Sequence, residues 1–108
     1  MIIDFDALFT MLVLKGGISQ IVLPFDDDTK ELKKGDTCEI SFGGMKFKNY
    51  QLQVCNVSVT SLKKLSFQDI FHQGFLYKPF FLKYMQEKGF DADDTVVKVD
   101  FKLKELKL

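Results

Sequence analysis

Apolar residues fall at Phe5, Leu8, Phe9 and Leu12, the i, i+3, i+4, i+7 spacing that lays a stripe along a helix. This predicts a helix over Asp4–Leu14, with Asp4 or Asp6 as N-cap and Gly16 or Gly17 ending it. Ile2–Ile3 is compatible with a short strand before it. Ile18–Leu23 reads as a strand closed by Pro24, and Phe25–Asp36 as a charged surface loop. In Thr37–Phe42 the side chains of Cys38, Ile40 and Phe42 alternate with those of Thr37, Glu39 and Ser41, the period of a strand. Gly43-Gly44 signals a hairpin. The returning strand, about Lys46–Val59, changes phase: Leu52 and Val54 follow one alternation, Val57 and Val59 the opposite one. One inserted residue near Cys55–Asn56 accounts for this as a β-bulge, which bends a strand.

Ser66 is placed to cap a short helix ended by Gly74, and a second helix spans roughly Lys78–Lys88, with Pro79 in its first turn and Gly89 after its last. Val97, Val99, Phe101 and Leu103 alternate with Lys98, Asp100 and Lys102 in a closing strand over Thr95–Leu103. The order predicts an α+β fold: a small sheet curved toward a barrel, an N-terminal helix, and two helices before the last strand. Repeats and linkers are absent, so one domain over 1–108 is expected.

Composition adds less. Hydrophobic content of 46% and twelve Phe suffice for a core without metals or disulfides. Fifteen basic residues balance fifteen acidic ones, so net charge draws the chain toward neither nucleic acid nor membrane. All the basic residues are Lys. Without Arg there is no planar fork for bidentate contacts to guanine or phosphate, which argues against a sequence-specific DNA reader. An AT-rich coding sequence, which favours Lys together with Phe, Asn and Ile, explains the bias without a functional reason. Residues 1–28 carry five Asp against Lys15, a net −4, and residues 29–108 carry fourteen Lys against ten acids, a net +4. That Lys bias suits weak phosphate contacts or an ordinary solvated surface.

Cys38 and Cys55 form no CxxC pair and His72 is distant in sequence, so no metal or cofactor is expected. No basic leader and no apolar run of about 18 residues is visible, so the expected setting is cytoplasmic, with two reduced buried thiols and no membrane contact. Other features have ordinary readings. His72 and Asp69, at i and i+3, would pair on one helical face, as an acid–base unit or as a capping or surface pair. Tyr77, Phe80, Phe81 and Tyr84 suit a platform for bases or a core stripe. Lys46 and Lys48, on a hairpin tip, suit phosphate contact or plain solvation. Asp26, Asp27 and Asp28 suit a hard cation or a solvated loop.

Three segments in order, "KELKKGDTCEIS", "VSVTSLKKLSFQDIFHQGF" and "DTVVKVDFKL", give the chain a layout that resembles the ASCH domain, a branch of the PUA-like superfamily. The resemblance implies a cleft after the first helix, lined where the motif is present by G-x-K-x-x-T-x-R. On this sequence the glycine falls on Gly16, the lysine on Ile18, the threonine on Ile21 and the arginine on Leu23. A shifted register puts Lys15 at the lysine and Gln20 at the arginine, with Ile18 at the threonine. Some small family members are amidohydrolases acting on N4-acetylcytidine through a lysine, a threonine and a glutamate, and the glutamate would fall near Gln73. An isoleucine is neither base nor nucleophile, and an amide does not move protons near neutrality, so that chemistry is lost in either register. The resemblance therefore implies a non-catalytic domain that binds RNA or a nucleotide through Lys15, Ser19, Gln20, Gln73 and Tyr77; Lys46 and Lys48, on the hairpin tip, are separate candidates for phosphate contact. Two other readings stand: a residual amidohydrolase, and a phage or mobile-element module that contacts a host protein.

Overall fold

The phase change in the long central strand shapes the molecule. In the computed structural model, which describes residues 1–107, strands run over Ile2–Phe5 (β1), Gln20–Pro24 (β2), Thr37–Phe42 (β3), Met45–Lys46 (β4), Tyr50–Ser61 (β5) and Thr95–Glu105 (β6). Helices run over Thr10–Leu14 (α1), Phe67–His72 (α2) and Lys78–Glu87 (α3). The sheet order is β1-β3-β5-β6-β2, with β4 on β3. Among the described residues only β1 and β3 pair in parallel. β5 and β6 form the spine, from Tyr50↔Glu105 to Ser61↔Thr95, and the register shifts between Val54 and Asn56, where the pattern predicts a bulge. The extra residue, Cys55, lets Leu52 and Val54 stay inside while the strand bends.

β3 pairs with β5 only at Thr37↔Gln53 and Cys38↔Leu52, then departs to pair with β1 and β4. This turn at the corner curls the sheet. Phe5, on one edge strand, thereby meets Phe101 of β6 with ring centroids 5.5 Å apart. No ladder joins β1 to β2 among the described residues, so the curled sheet stays unclosed. Gly43 and Gly44 both take positive φ, as the tight hairpin between β3 and β4 demands.

Two clusters share β6. Inside the curl, Val97, Val99 and Phe101 pack with residues such as Ile3, Phe5, Ile40 and Leu52. Val96, on the opposite face, packs under the helices with Leu62, Leu65, Ile70, Phe81 and Met85. The fold is α+β, as expected.

Four local expectations are corrected. The first helix does not begin at Asp4. Residues 2–5 form β1, because Ile3 and Phe5 alternate inward and the free edge of β3 satisfies their backbone groups. Asp6 caps a single 3-10 turn at Ala7–Phe9, and α1 is five residues long. The tighter turn rotates the stripe, leaving Leu8 85% exposed and placing Phe9 and Val13 toward the core. The returning strand is interrupted: β4 ends at Lys46, residues 47–49 turn, and β5 starts at Tyr50, because Phe47 folds back onto the Phe42 ring at 4.8 Å. Finally, Cys55 is half-buried rather than buried, as the bulge pushes it off the inner face.

Candidate ligand cleft

β2 is an edge strand. Phe101 N–H donates to the carbonyl of Ser19, so by the antiparallel alternation Ile21 and Leu23 bond to β6 while the backbone of Val22 faces outward. Pro24, which has no N–H to offer, suits the edge. Across from β2 lie the end of β1 with the turn after it, and the stretch from Gln73 to Phe90. Between them is a cleft of about 220 Å³, set in the gap where the sheet fails to close.

One wall is aromatic. Phe75 packs against Phe81 at 5.3 Å, Tyr84 at 5.1 Å and Phe9 at 5.9 Å, and all four rings line the cleft. The facing wall is Ile21, Val22 and Leu23 of β2. Ile18 is 4% exposed and lies in the floor, packed on Gly74. Gly74 has φ +90°, and a Cβ there would come within 3.0 Å of Ile18 Cδ1, so both backbone conformation and space require glycine. The apolar residues at the motif positions thus divide: Ile18 fills the floor, while Ile21 and Leu23 flank a cleft that stays open.

At one rim Asp4, Asp6, Tyr84 and Lys88 meet. The Ser41 hydroxyl, 2.6 Å from Asp4 Oδ1, and the Gly44 N–H hold the Asp4 carboxyl below its usual range. The Leu8 N–H does the same for Asp6, outweighing burial, with help from the Tyr84 hydroxyl and Lys88. Tyr84 donates to Asp6 at 3.0 Å; burial and this partner push its phenol up. Lys88 lies 3.8 Å from Asp6 and 5.1 Å above the Tyr84 ring.

At the floor, buried Gln20 and Gln73 join a polar cluster whose other members are partly exposed. Ser66 caps α2 as predicted, and Asp69 completes a reciprocal capping box through Oδ2. Asp69 Oδ1 accepts from Lys98 at 3.1 Å and from Gln20 Nε2 at 3.2 Å. Gln20 Nε2 also donates to Asp100 Oδ1 at 2.7 Å, and Gln20 Oε1 accepts from Gln73 Nε2 at 2.8 Å. Burial pushes the Asp69 carboxyl up, but Ser66, Gln20 and Lys98 together bring it down to about 2.

Of the residues read from sequence, Gln20 and Gln73 are brought together and line the cleft. Ser19 is adjacent, with its N–H donating to the His72 carbonyl at 2.9 Å. Lys15 is exposed at the end of α1, and Tyr77 is 64% exposed, edge-on to Phe80 at 5.7 Å; neither lines the cleft. Lys46 lies 3.8 Å from Glu39 on the β3–β4 hairpin, and Lys48 is exposed beside it. The expected His72–Asp69 pair does not form: Asp69 is committed to Ser66, Gln20 and Lys98, and His72 is exposed beside the Phe71 ring. Asp26 binds the N–H groups of Asp28 and Thr29, and Asp27 pairs with Lys30 at 2.9 Å, so the acidic run is a capped turn. Sequence reasoning did not place Asp4, Asp6, Lys88, Lys98 or Asp100 at a site. Their meeting depends on strand pairing and on helix packing, and nothing local announces it.

No helix among the described residues is long and apolar enough to cross a membrane. No protein-family model and no curated protein matches the sequence. Solved structures do. A protein from Enterococcus faecalis described by the family model DUF984 superposes with a TM-score of 0.71 at 17% identity, over 93% of this chain and 72% of that one. The hypothetical protein PH0355 gives 0.71 at 18% identity, over 96% of this chain and 100% of its own. An ASCH domain from Lactobacillus crispatus gives 0.62 at 19% identity, over 89% of this chain and 70% of that one. At such identities the likeness is one of architecture, and this chain shares its fold with these structures, the ASCH domain among them.

Proposed function

We propose that the chain is a binding domain without catalytic activity, and that its cleft takes a flat ring of nucleobase size, carried by a nucleoside, a nucleotide or unpaired RNA. The observation that carries this reading is the cleft's composition. It is open, walled by Phe9, Phe75, Phe81 and Tyr84, and apolar at Ile18 and Ile21, where the resembled hydrolases keep a lysine and a threonine. Stacking on aromatic side chains is worth roughly 1–3 kcal/mol per base and tolerates any sequence. Gln73 supplies a hydrogen-bonding amide but no proton transfer. The free thiols of Cys38 and Cys55 support a reducing compartment such as the cytoplasm.

Titration with nucleosides and a short single-stranded RNA at low ionic strength, followed by methyl NMR, tests the reading. Signals of Ile21 and Leu23 are expected to shift with either, and RNA affinity to fall as salt rises. Silence of those methyls with every ligand would sink it. Incubation with N4-acetylcytidine is expected to release no acetate.

A specific observation favours one second reading, a protein-interaction module of the kind a phage or mobile element carries. Phe67, Phe71, Leu76, Tyr77 and Phe80 are all more than half exposed around α2 and the start of α3. A partner lost on Phe80→Ser, with cleft binding intact, would transfer the main role to this surface.

A further inference from the structure

The polar cluster at the cleft floor has a direction. Gln20 Nε2 lies 2.7 Å from Asp100 Oδ1 and 3.2 Å from Asp69 Oδ1, and ionised carboxylates only accept. The Gln20 amide must therefore turn its NH₂ toward them; the flipped amide would set oxygen against oxygen at both contacts. Both hydrogens of that NH₂ are then used, and Gln20 Oε1 is left facing Gln73 at 2.8 Å. Gln73 must in turn present its own NH₂ to Gln20. The orientation of the second amide is thus dictated by two carboxylates it does not touch.

Of the Gln73 amide, Oε1 and the second hydrogen of Nε2 remain, and Oε1 is its one acceptor. It accepts no hydrogen bond among the described residues, yet the single buried side-chain polar atom without a partner among them is Ser61 Oγ. The Gln73 oxygen therefore keeps open space beside it, and Gln73 lines the cleft. The polar groups at the rim share its sense: Asp4 and Asp6 are carboxylates, and the Tyr84 hydroxyl is already donating to Asp6. Lys88 is the one cation among the lining residues, and it lies against Asp6 and the Tyr84 ring.

We infer that Gln73 sets the specificity of the cleft as a fixed hydrogen-bond acceptor, so that the site selects flat aromatic ligands bearing an N–H donor. This rests on the reading of the cleft as a ring-binding site and adds the polarity of its floor. A ring that offers only acceptors at that point meets an oxygen that cannot turn away, because turning it would set the Gln73 and Gln20 oxygens against each other.

The test uses two bicyclic probes of nearly equal shape, indole with an N–H and benzofuran with an oxygen in its place, titrated into the whole chain and read at the methyls of Ile18, Ile21 and Leu23. Indole is expected to bind about five-fold more tightly, the effect of one neutral hydrogen bond. In Gln73→Met, which keeps the side-chain length and removes the acceptor, indole is expected to fall to the level of benzofuran. Equal binding of the two probes to the natural chain, or tighter benzofuran, overturns the inference and leaves the ring-binding reading standing. If neither probe moves the methyls, the ring-binding reading fails and this inference with it. Should Gln73→Met fail to fold, the two probes on the natural chain decide alone.

Discussion

Asp69 accepts hydrogen bonds from three elements at once: its own helix cap at Ser66, Gln20 of β2 and Lys98 of β6. With the carboxyl held at about 2 against an ordinary 3.8, the native chain favours the ionised form. The stability this supplies, on the order of 2 kcal/mol, is present in full above pH about 4 and is lost as pH falls toward 2. Asp69→Asn is therefore expected to lose about that much at neutral pH, and to show a shallower decline between pH about 4 and 2 than the natural chain. Urea unfolding at a series of pH values measures both, and an unchanged acid limb would show that Asp69 is not the group responsible. Gly74→Ala makes a second expectation at this scale. A methyl meeting Ile18 at 3.0 Å, on a backbone with φ +90°, is expected to cost roughly 1–3 kcal/mol in the same assay; no loss would mean the α2–α3 turn relaxes freely. The Ser66 cap was legible in sequence because it acts within one helical turn. The Gln20–Gln73 bond joins positions 53 apart, and no local pattern encodes it.

At the scale of elements, the β5 bulge and the helix α3 do different work. The bulge was legible because an inserted residue reverses the phase of every apolar position beyond it, and Leu52, Val54 and Val57 record that reversal. Deleting Cys55 is expected to abolish cooperative unfolding, since it turns Tyr50–Val54 inside out relative to Val57–Ser61 along the ladder with β6. A native-like thermal transition in the deletion variant would mean the ladder re-registers elsewhere. In α3, Phe81 is 1% exposed and joins the helical core to the aromatic wall. Phe81→Ala is expected to cost about 3–5 kcal/mol by chemical denaturation. A cost below about 1 kcal/mol would show that the neighbouring rings collapse into the space. The opening of the chain was less legible than either. Its helical stripe was real as a spacing, but Ile3 and Phe5 also fit a strand, and the free edge of β3 decided between the two. That edge belongs to residues 39–42, outside any window a periodicity can scan.

Across the whole molecule, strands far apart in sequence meet around one unclosed sheet. The fold class could be read because element order is local information; the cleft could not be described, because its walls come from residues 4–24 and 73–90. Stability is distributed to match. β5 and β6 pair over eleven positions at the centre, while β1 and β2 each have a neighbour on one side only. Hydrogen exchange is expected to be slowest in β5 and β6, and fast at the outward amides of Asp4 and Val22. Protection of those two amides equal to that of the spine would mean that something covers the open edges.

The missing ladder between β1 and β2 also has a mechanical meaning. A closed barrel fixes its bore, because widening it breaks a row of backbone bonds. Here no backbone ladder spans the gap, and the Tyr84–Asp6 bond, with Lys88 beside it, ties α3 to the turn after β1 on one side of it. The width of this mouth is therefore set by side-chain packing, where a barrel of the same strands would set it by a row of backbone bonds.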